Sequence, residues 1–104
     1  MTETSVPEPL AFRVDSRDVQ GASVVEVAGE VDAHTAPTVR DAVEAAIVPG
    51  ARVIVDLSGV SFLDSTGLGV LVTALKHVRE ADGTLDLVVT SPRVLKVFEL
   101  TGLD

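Results

Sequence analysis

The sequence predicts a single α/β domain with a mainly parallel sheet, an antiparallel N-terminal strand and helices packed on the sheet. Three observations carry this. From residue 34 onward, segments of helical apolar period alternate with short β-branched runs, and such alternation implies right-handed crossovers between parallel strands. Ahead of them, two short alternating segments meet at Gly21, the pattern of a hairpin. Finally, 104 residues with 46% hydrophobic content suffice for one core and fall short of two ordinary domains.

The elements follow in order. Residues 1–9, with Glu3, Pro7, Glu8 and Pro9, have the composition of a flexible tail that cannot repay the entropy of ordering, so the domain is expected over 10–104. "LAFRVDSRD" and "ASVVEVAGEVD" alternate, and Phe12 and Val14 match Val25, Val27 and Val31 across the Gly21 turn. In "HTAPTVRDAVEAAIVPG", Val39, Ala42, Val43, Ala46 and Ile47 recur at helical spacing. Thr35 is the expected cap, Pro37 suits the first turn and Pro49-Gly50 ends the helix. "RVIVDL" is a continuous β-branched run, which predicts a central strand covered on both faces.

The next helix is expected to turn Leu68, Leu71, Val72, Leu75 and Val78 to the core and to stop at Asp82-Gly83. "TLDLVVT" returns to strand alternation. "SPRVLKVFELTG" then places Ser91 as a cap, Pro92 at the first helical position and Gly102 as the stop. The sequence holds no internal repeat.

Composition excludes several functions. Sixteen acidic against eight basic residues give a net charge of -8, the wrong sign for a phosphate-backbone binder, so no direct nucleic-acid partner is expected. With no cysteine there are no disulfides, thiolate metal sites or thiol nucleophiles. No apolar run approaches the roughly 18 residues of a membrane span, and the acidic N-terminus has no signal-peptide core. The expected location is the cytoplasm.

The most informative stretch is "FLDSTGLGVL", residues 62–71, where a strand hands over to a helix. Asp64 or Ser65 can cap that helix, and the glycines can let it lie close to the sheet. On the helical wheel, however, Thr66, Gly69, Val70, Thr73 and His77 fall opposite the core stripe, and charges begin only at Lys76. The first two turns therefore offer a small, flat surface suited to close approach by another protein. Ser65 is expected at the carboxyl end of a central strand, where open α/β sheets bind ligands and partners, and at a helix start, where added negative charge is tolerated. A phosphate there would change the surface while sparing the fold.

Catalytic readings rank behind the binding readings. A serine hydrolase needs a base beside its nucleophile within a G-x-S-x-G elbow, whereas Ser65 sits in L-D-S-T-G. His77 lies about 18 Å along the helix at 1.5 Å per residue; His34, in the loop after the second strand, could approach Ser65, but a lone loop histidine is more often solvated than catalytic. Asp64-Ser65-Thr66-Gly67 has Thr66 where an aspartic protease needs glycine, and the helical periodicity contradicts that all-β fold. Gly67-x-Gly69 is a fragment of a dinucleotide fingerprint, and no phosphate loop or metal-ligand spacing occurs. No catalytic residue, metal or cofactor is expected. A second polar segment, "GEVDAHTAP", carries Glu30, Asp32 and His34 ahead of the Thr35 cap; if both crossovers share a hand, it lies near Ser65.

"GEVDAHTAP", "VIVDLSGVSFLDSTGLGVLV" and "SPRVLKVFELTGL" together resemble a STAS domain, specifically a bacterial anti-sigma-factor antagonist, over roughly residues 12–103. The specific element is D-S-[ST]-G-L-G after a hydrophobic strand, accompanied by the upstream G-E-[VIL]-D. The resemblance implies partner switching in transcriptional stress regulation. The unphosphorylated antagonist binds an anti-sigma factor, which is also a serine kinase, and frees the sigma factor. ATP-dependent phosphorylation at Ser65 ends the binding, and a PP2C-type phosphatase restores it. Asp32, Asp64, Thr66, Gly67, Leu68 and Gly69 would belong to the partner surface, joined by His34, Thr35, Val70 and Thr73 from the same two segments. The resemblance implies a further strand and helix past T-G-L, which are not expected within the residues up to Asp104, and the expected state is a monomer or weak dimer. The alternative within the same fold is a nonphosphorylated STAS module that senses a ligand or scaffolds a complex.

Overall fold

The computed structural model describes residues 11–101, so the expected tail over 1–9 and the Gly102 stop lie outside the described residues. Two antiparallel strands open the fold, β1 (Arg13–Val19) and β2 (Ala22–Val31), and Val14 faces Val27 in register as the alternation predicts. Their turn uses Gln20 and Gly21 at φ 50° and 86°, the left-handed pair that a two-residue hairpin requires. Next come α1 (Ala36–Ala46), β3 (Arg52–Leu63), α2 (Ser65–Glu80), β4 (Thr84–Val88) and α3 (Pro92–Thr101). The sheet order is β1-β2-β3-β4, with β2, β3 and β4 parallel, so the mixed α/β architecture agrees with the sequence.

β3 is central, but it is not covered on both faces. Val53, Val55 and Leu57 are buried with Val25 and Val27 of β2 in the core shared with the helices, whereas Glu26, Ile54 and Asp56 between them are half-buried. The β-branched run therefore reflects strand propensity more than two-sided burial.

β3 also bends. Its register with β2 slips from Glu26↔Asp56 to Ala28↔Gly59, then from Gly29↔Val60 to Glu30↔Phe62, each slip inserting one extra residue in β3. Asp56 Oδ1 accepts the Ser58 N–H at 2.9 Å and stabilises the first bulge. At Gly59 the strands come close: a Cβ there would stand 3.0 Å from that of Ala28.

α2 is rotated from its expected setting. Its buried residues are Gly67, Leu71, Ala74 and Val78; Leu68 and Leu75 flank them, and Val72 is 42% exposed. The wheel counted large apolar side chains as the core stripe. Packing instead seats the small residues Gly67 and Ala74 against the core, and this brings the helix close. Val72 and Leu75 line an open groove of about 480 Å³ with Leu85 and Leu87 of β4 and Leu95 and Phe98 of α3.

The helix ends follow local rules. Pro92 opens α3, with Ser91 Oγ accepting from Val94 N–H at 3.5 Å and its carbonyl from Leu95 N–H at 2.9 Å. α2 closes with the Gly83 N–H on the Val78 carbonyl at 2.8 Å and Asp82 at φ 60°. Across the α1–α2 contact, His77 Nδ1 lies 2.8 Å from Glu44 Oε2. Among the described residues, no helix is long and apolar enough to cross a membrane.

Candidate functional site

The parallel strands β2 and β3 end on register partners, Val31 and Leu63, which are 1% and 4% exposed. One residue further, the Asp64 N–H donates to the Val31 carbonyl at 3.1 Å. The two polar segments singled out in the sequence therefore stand side by side at the carboxyl end of the sheet, each leading into a helix.

In the first segment, Asp32 Oδ1 accepts the N–H groups of His34 and Thr35 at 2.9 and 3.1 Å, and the Asp32 carbonyl accepts Ala36 N–H at 2.7 Å. Thr35 Oγ1 accepts the Asp32 N–H at 3.0 Å, donates to the Glu30 carbonyl at 2.8 Å, and has a longer 3.3 Å contact with Asp32 Oδ1. Thr35 thus makes no side-chain cap to α1, contrary to the sequence expectation. Its backbone is already helical at φ -98° and ψ -21°, so the turn begins earlier and Asp32 caps it. The amides of Thr35 and then His34 are the main reasons that the Asp32 carboxyl is held below its ordinary value of 3.8. Asp32 and Thr35 are half-buried, while Ala33 and His34 are exposed.

The second segment repeats this geometry. Asp64 Oδ1 accepts Thr66 N–H at 2.9 Å and Gly67 N–H at 3.0 Å, and its carbonyl accepts Leu68 N–H at 3.0 Å. Of the two candidate caps, Asp64 fills the role, which leaves Ser65 exposed at the first position of α2. Thr66 is exposed beside it.

The two glycines differ. A Cβ on Gly67 would meet Leu63 Cδ1 at 2.6 Å and Val31 Cγ1 at 2.7 Å, whereas one on Gly69 would meet nothing within 4 Å. Gly67 is buried, so it seats α2 on the strand ends and does not offer a contact surface as expected. Leu68 and Val70 are likewise partly buried against the core, and His77 turns to Glu44. The outer face of the first two turns is formed by Ser65, Thr66, Gly69, Val72 and Thr73.

Two surface residues escaped the sequence reading. Val72 reads as core by its apolar spacing; the signal that places it outside is the alignment of Gly67 and Ala74 with Leu71 and Val78. Phe62, 41% exposed and paired with Glu30, stands three residues before Ser65, hidden from the pattern by the second bulge. Among the described residues no group of three or more His, Asp or Glu side chains is placed to hold a metal.

The STAS-domain family model matches residues 13–104. The chain belongs to the STAS-domain family. This STAS domain is 42% identical over 95 residues to the anti-sigma-B factor antagonist of Listeria monocytogenes, covering 90% of this chain and 82% of that protein. Identity to the anti-sigma-B factor antagonist of Bacillus subtilis is 38% over 94 residues, covering 90% and 86%. Among solved structures, an anti-sigma factor antagonist from Mycobacterium paratuberculosis superposes with a TM-score of 0.81 at 33% identity, over 95% of this chain and 85% of that one. SpoIIAA in its unphosphorylated form matches with a TM-score of 0.72 at 30% identity, over 89% and 82%. The Bacillus cell fate determinant SpoIIAA in its phosphorylated form gives 0.68 at 29%, over 89% and 85%.

Proposed function

We propose that this STAS domain is an anti-sigma-factor antagonist that works in the cytoplasm by partner switching. Its unphosphorylated form binds an anti-sigma factor that is also a serine kinase and so releases the sigma factor; phosphate on Ser65 ends that complex. The observation that carries the reading is the exposed Ser65 hydroxyl at the start of α2, beside the small outer face of Thr66, Gly69 and Thr73. Relatives named as antagonists, and a related fold known in both phosphorylated and unphosphorylated forms, support it. The chain acts as a regulator and substrate, not as the catalyst.

In the phosphorylation step, Ser65 Oγ attacks the γ-phosphorus of ATP held by the kinase. The Oγ–P bond forms, the bond between the γ-phosphorus and the bridging oxygen breaks, ADP leaves and the hydroxyl proton passes to a base on the kinase. The reverse switch is hydrolysis of the phosphoserine by a PP2C-type phosphatase. The effect on binding follows from the helix start. The Thr66 and Gly67 amides that a phosphate could otherwise use already serve Asp64. A group of charge about -1.5 to -2 therefore remains on the surface next to the Asp64 carboxylate, where a partner fitted to a hydroxyl meets bulk and unpaired charge.

The test is incubation with candidate anti-sigma kinases and ATP, followed by mass-spectrometric mapping. Phosphate on Ser65 is expected. Phosphate on Thr66 or Ser61 with Ser65 unmodified overturns the site, and a Ser65→Ala protein that no longer binds the kinase overturns the role of the hydroxyl as acceptor only.

A further inference from the structure

We propose that Asp32 is a positioning residue of the partner surface: its carboxylate orders residues 32–35 beside Ser65 and acts through the shape of that loop, not as a charge offered to the partner. What the loop faces rests on the antagonist reading; how it is held does not.

One carboxylate oxygen, Oδ1, takes two backbone N–H groups and lies within reach of the Thr35 hydroxyl. Thr35 closes the arrangement from the other side by accepting the Asp32 N–H and donating to the Glu30 carbonyl. The side chain is thus spent on the chain's own backbone, in the same pattern with which Asp64 caps α2. The exposed groups of the loop are Ala33 and His34, which the cage holds next to the α2 start through the Asp64–Val31 main-chain bond. Loss of the carboxylate frees two amides at once and removes the acceptor that defines the turn.

The cage and the charge are separated by substitution. Asp32→Ser and Asp32→Asn keep a short acceptor that can cap but carry no charge, whereas Asp32→Ala removes both. Amide exchange at His34 and Thr35, followed by NMR in the full chain, is expected to accelerate about tenfold in Asp32→Ala and to stay near the parent rate in Asp32→Ser. Affinity for the anti-sigma factor that phosphorylates Ser65, measured by calorimetry, is expected to fall about tenfold in Asp32→Ala and to remain within about threefold of the parent in Asp32→Ser. If Asp32→Ser binds as weakly as Asp32→Ala while its amides stay protected, the charge is the contact and the proposal is overturned. Parent-like exchange at His34 and Thr35 in Asp32→Ala overturns it as well. Should the parent chain bind no anti-sigma factor, the antagonist reading falls, and the exchange rates still decide the cage.

Discussion

The corners at 31–36 and 63–68 are built alike and used differently. Each follows a buried strand residue, Val31 or Leu63, with an aspartate whose carboxylate takes the amides two and three positions on and whose carbonyl takes the fourth. The residues between differ. Where the first corner has Ala33, the second has Ser65; where the first has Thr35, tied to the Glu30 carbonyl, the second has Gly67, pressed on Val31 and Leu63. Side-chain hydrogen bonds from Thr35 therefore lock the first corner, while Gly67 seats the second by close packing, which leaves Ser65 and Thr66 exposed at the helix start. The same backbone solution yields a side-chain frame in one place and an exposed Ser65 in the other.

The packing side of this comparison should break most visibly. Gly67→Ala is expected to cost about 1–3 kcal/mol in urea denaturation, because the new methyl overlaps Val31 and Leu63. Gly69→Ala, on the same helix, meets nothing and should gain up to about 1 kcal/mol from the better helix former. Equal effects at the two positions would show that α2 is not seated at Gly67. A smaller contrast concerns the matched positions Ser65 and Ala33. Ser65→Asp should weaken anti-sigma-factor binding at least about tenfold, near 1.4 kcal/mol, while Ala33→Asp should cost less. Titration calorimetry on both variants ranks the corners, and the reverse order would move the centre of the interface to the first one.

The mildest expected effect is electrostatic. Because the folded Asp32 carboxyl titrates below its ordinary value of 3.8, the unfolded chain binds its proton first as pH falls. Its contribution to stability is therefore present above about pH 4 and is lost as the pH falls through the folded value. Thermal melts of the parent and of Asp32→Asn should converge in that acid range and separate above it. A gap between the two that widens on acidification would contradict the assigned direction.

Most of the element order was legible because each boundary has a local cause: the left-handed pair Gln20-Gly21, Pro92 after Ser91, and the Asp82-Gly83 close of α2. Misreadings arose where a residue's role depends on what lies across from it. Thr35 looks like a cap by type, yet its hydroxyl serves Glu30, five residues back. Val72 looks like core by hydropathy, yet it stands outside because Gly67 and Ala74 allow α2 to approach on their own side. Within the site, Ser65 was visible from its place between a strand and a helix, whereas the distinct duties of Gly67 and Gly69 were not, since a missing side chain carries no sign of what it makes room for.

Periodicity, caps and turn residues are properties of neighbours along the chain, and they were enough to establish an α/β domain with Ser65 at a helix start. The pairing of Val31 with Leu63, the rotation of α2 and the bond from the Asp64 N–H to the Val31 carbonyl are contacts between segments far apart in sequence. They came with the assembled sheet, because only packing determines which face of a helix is near and which polar groups are already satisfied.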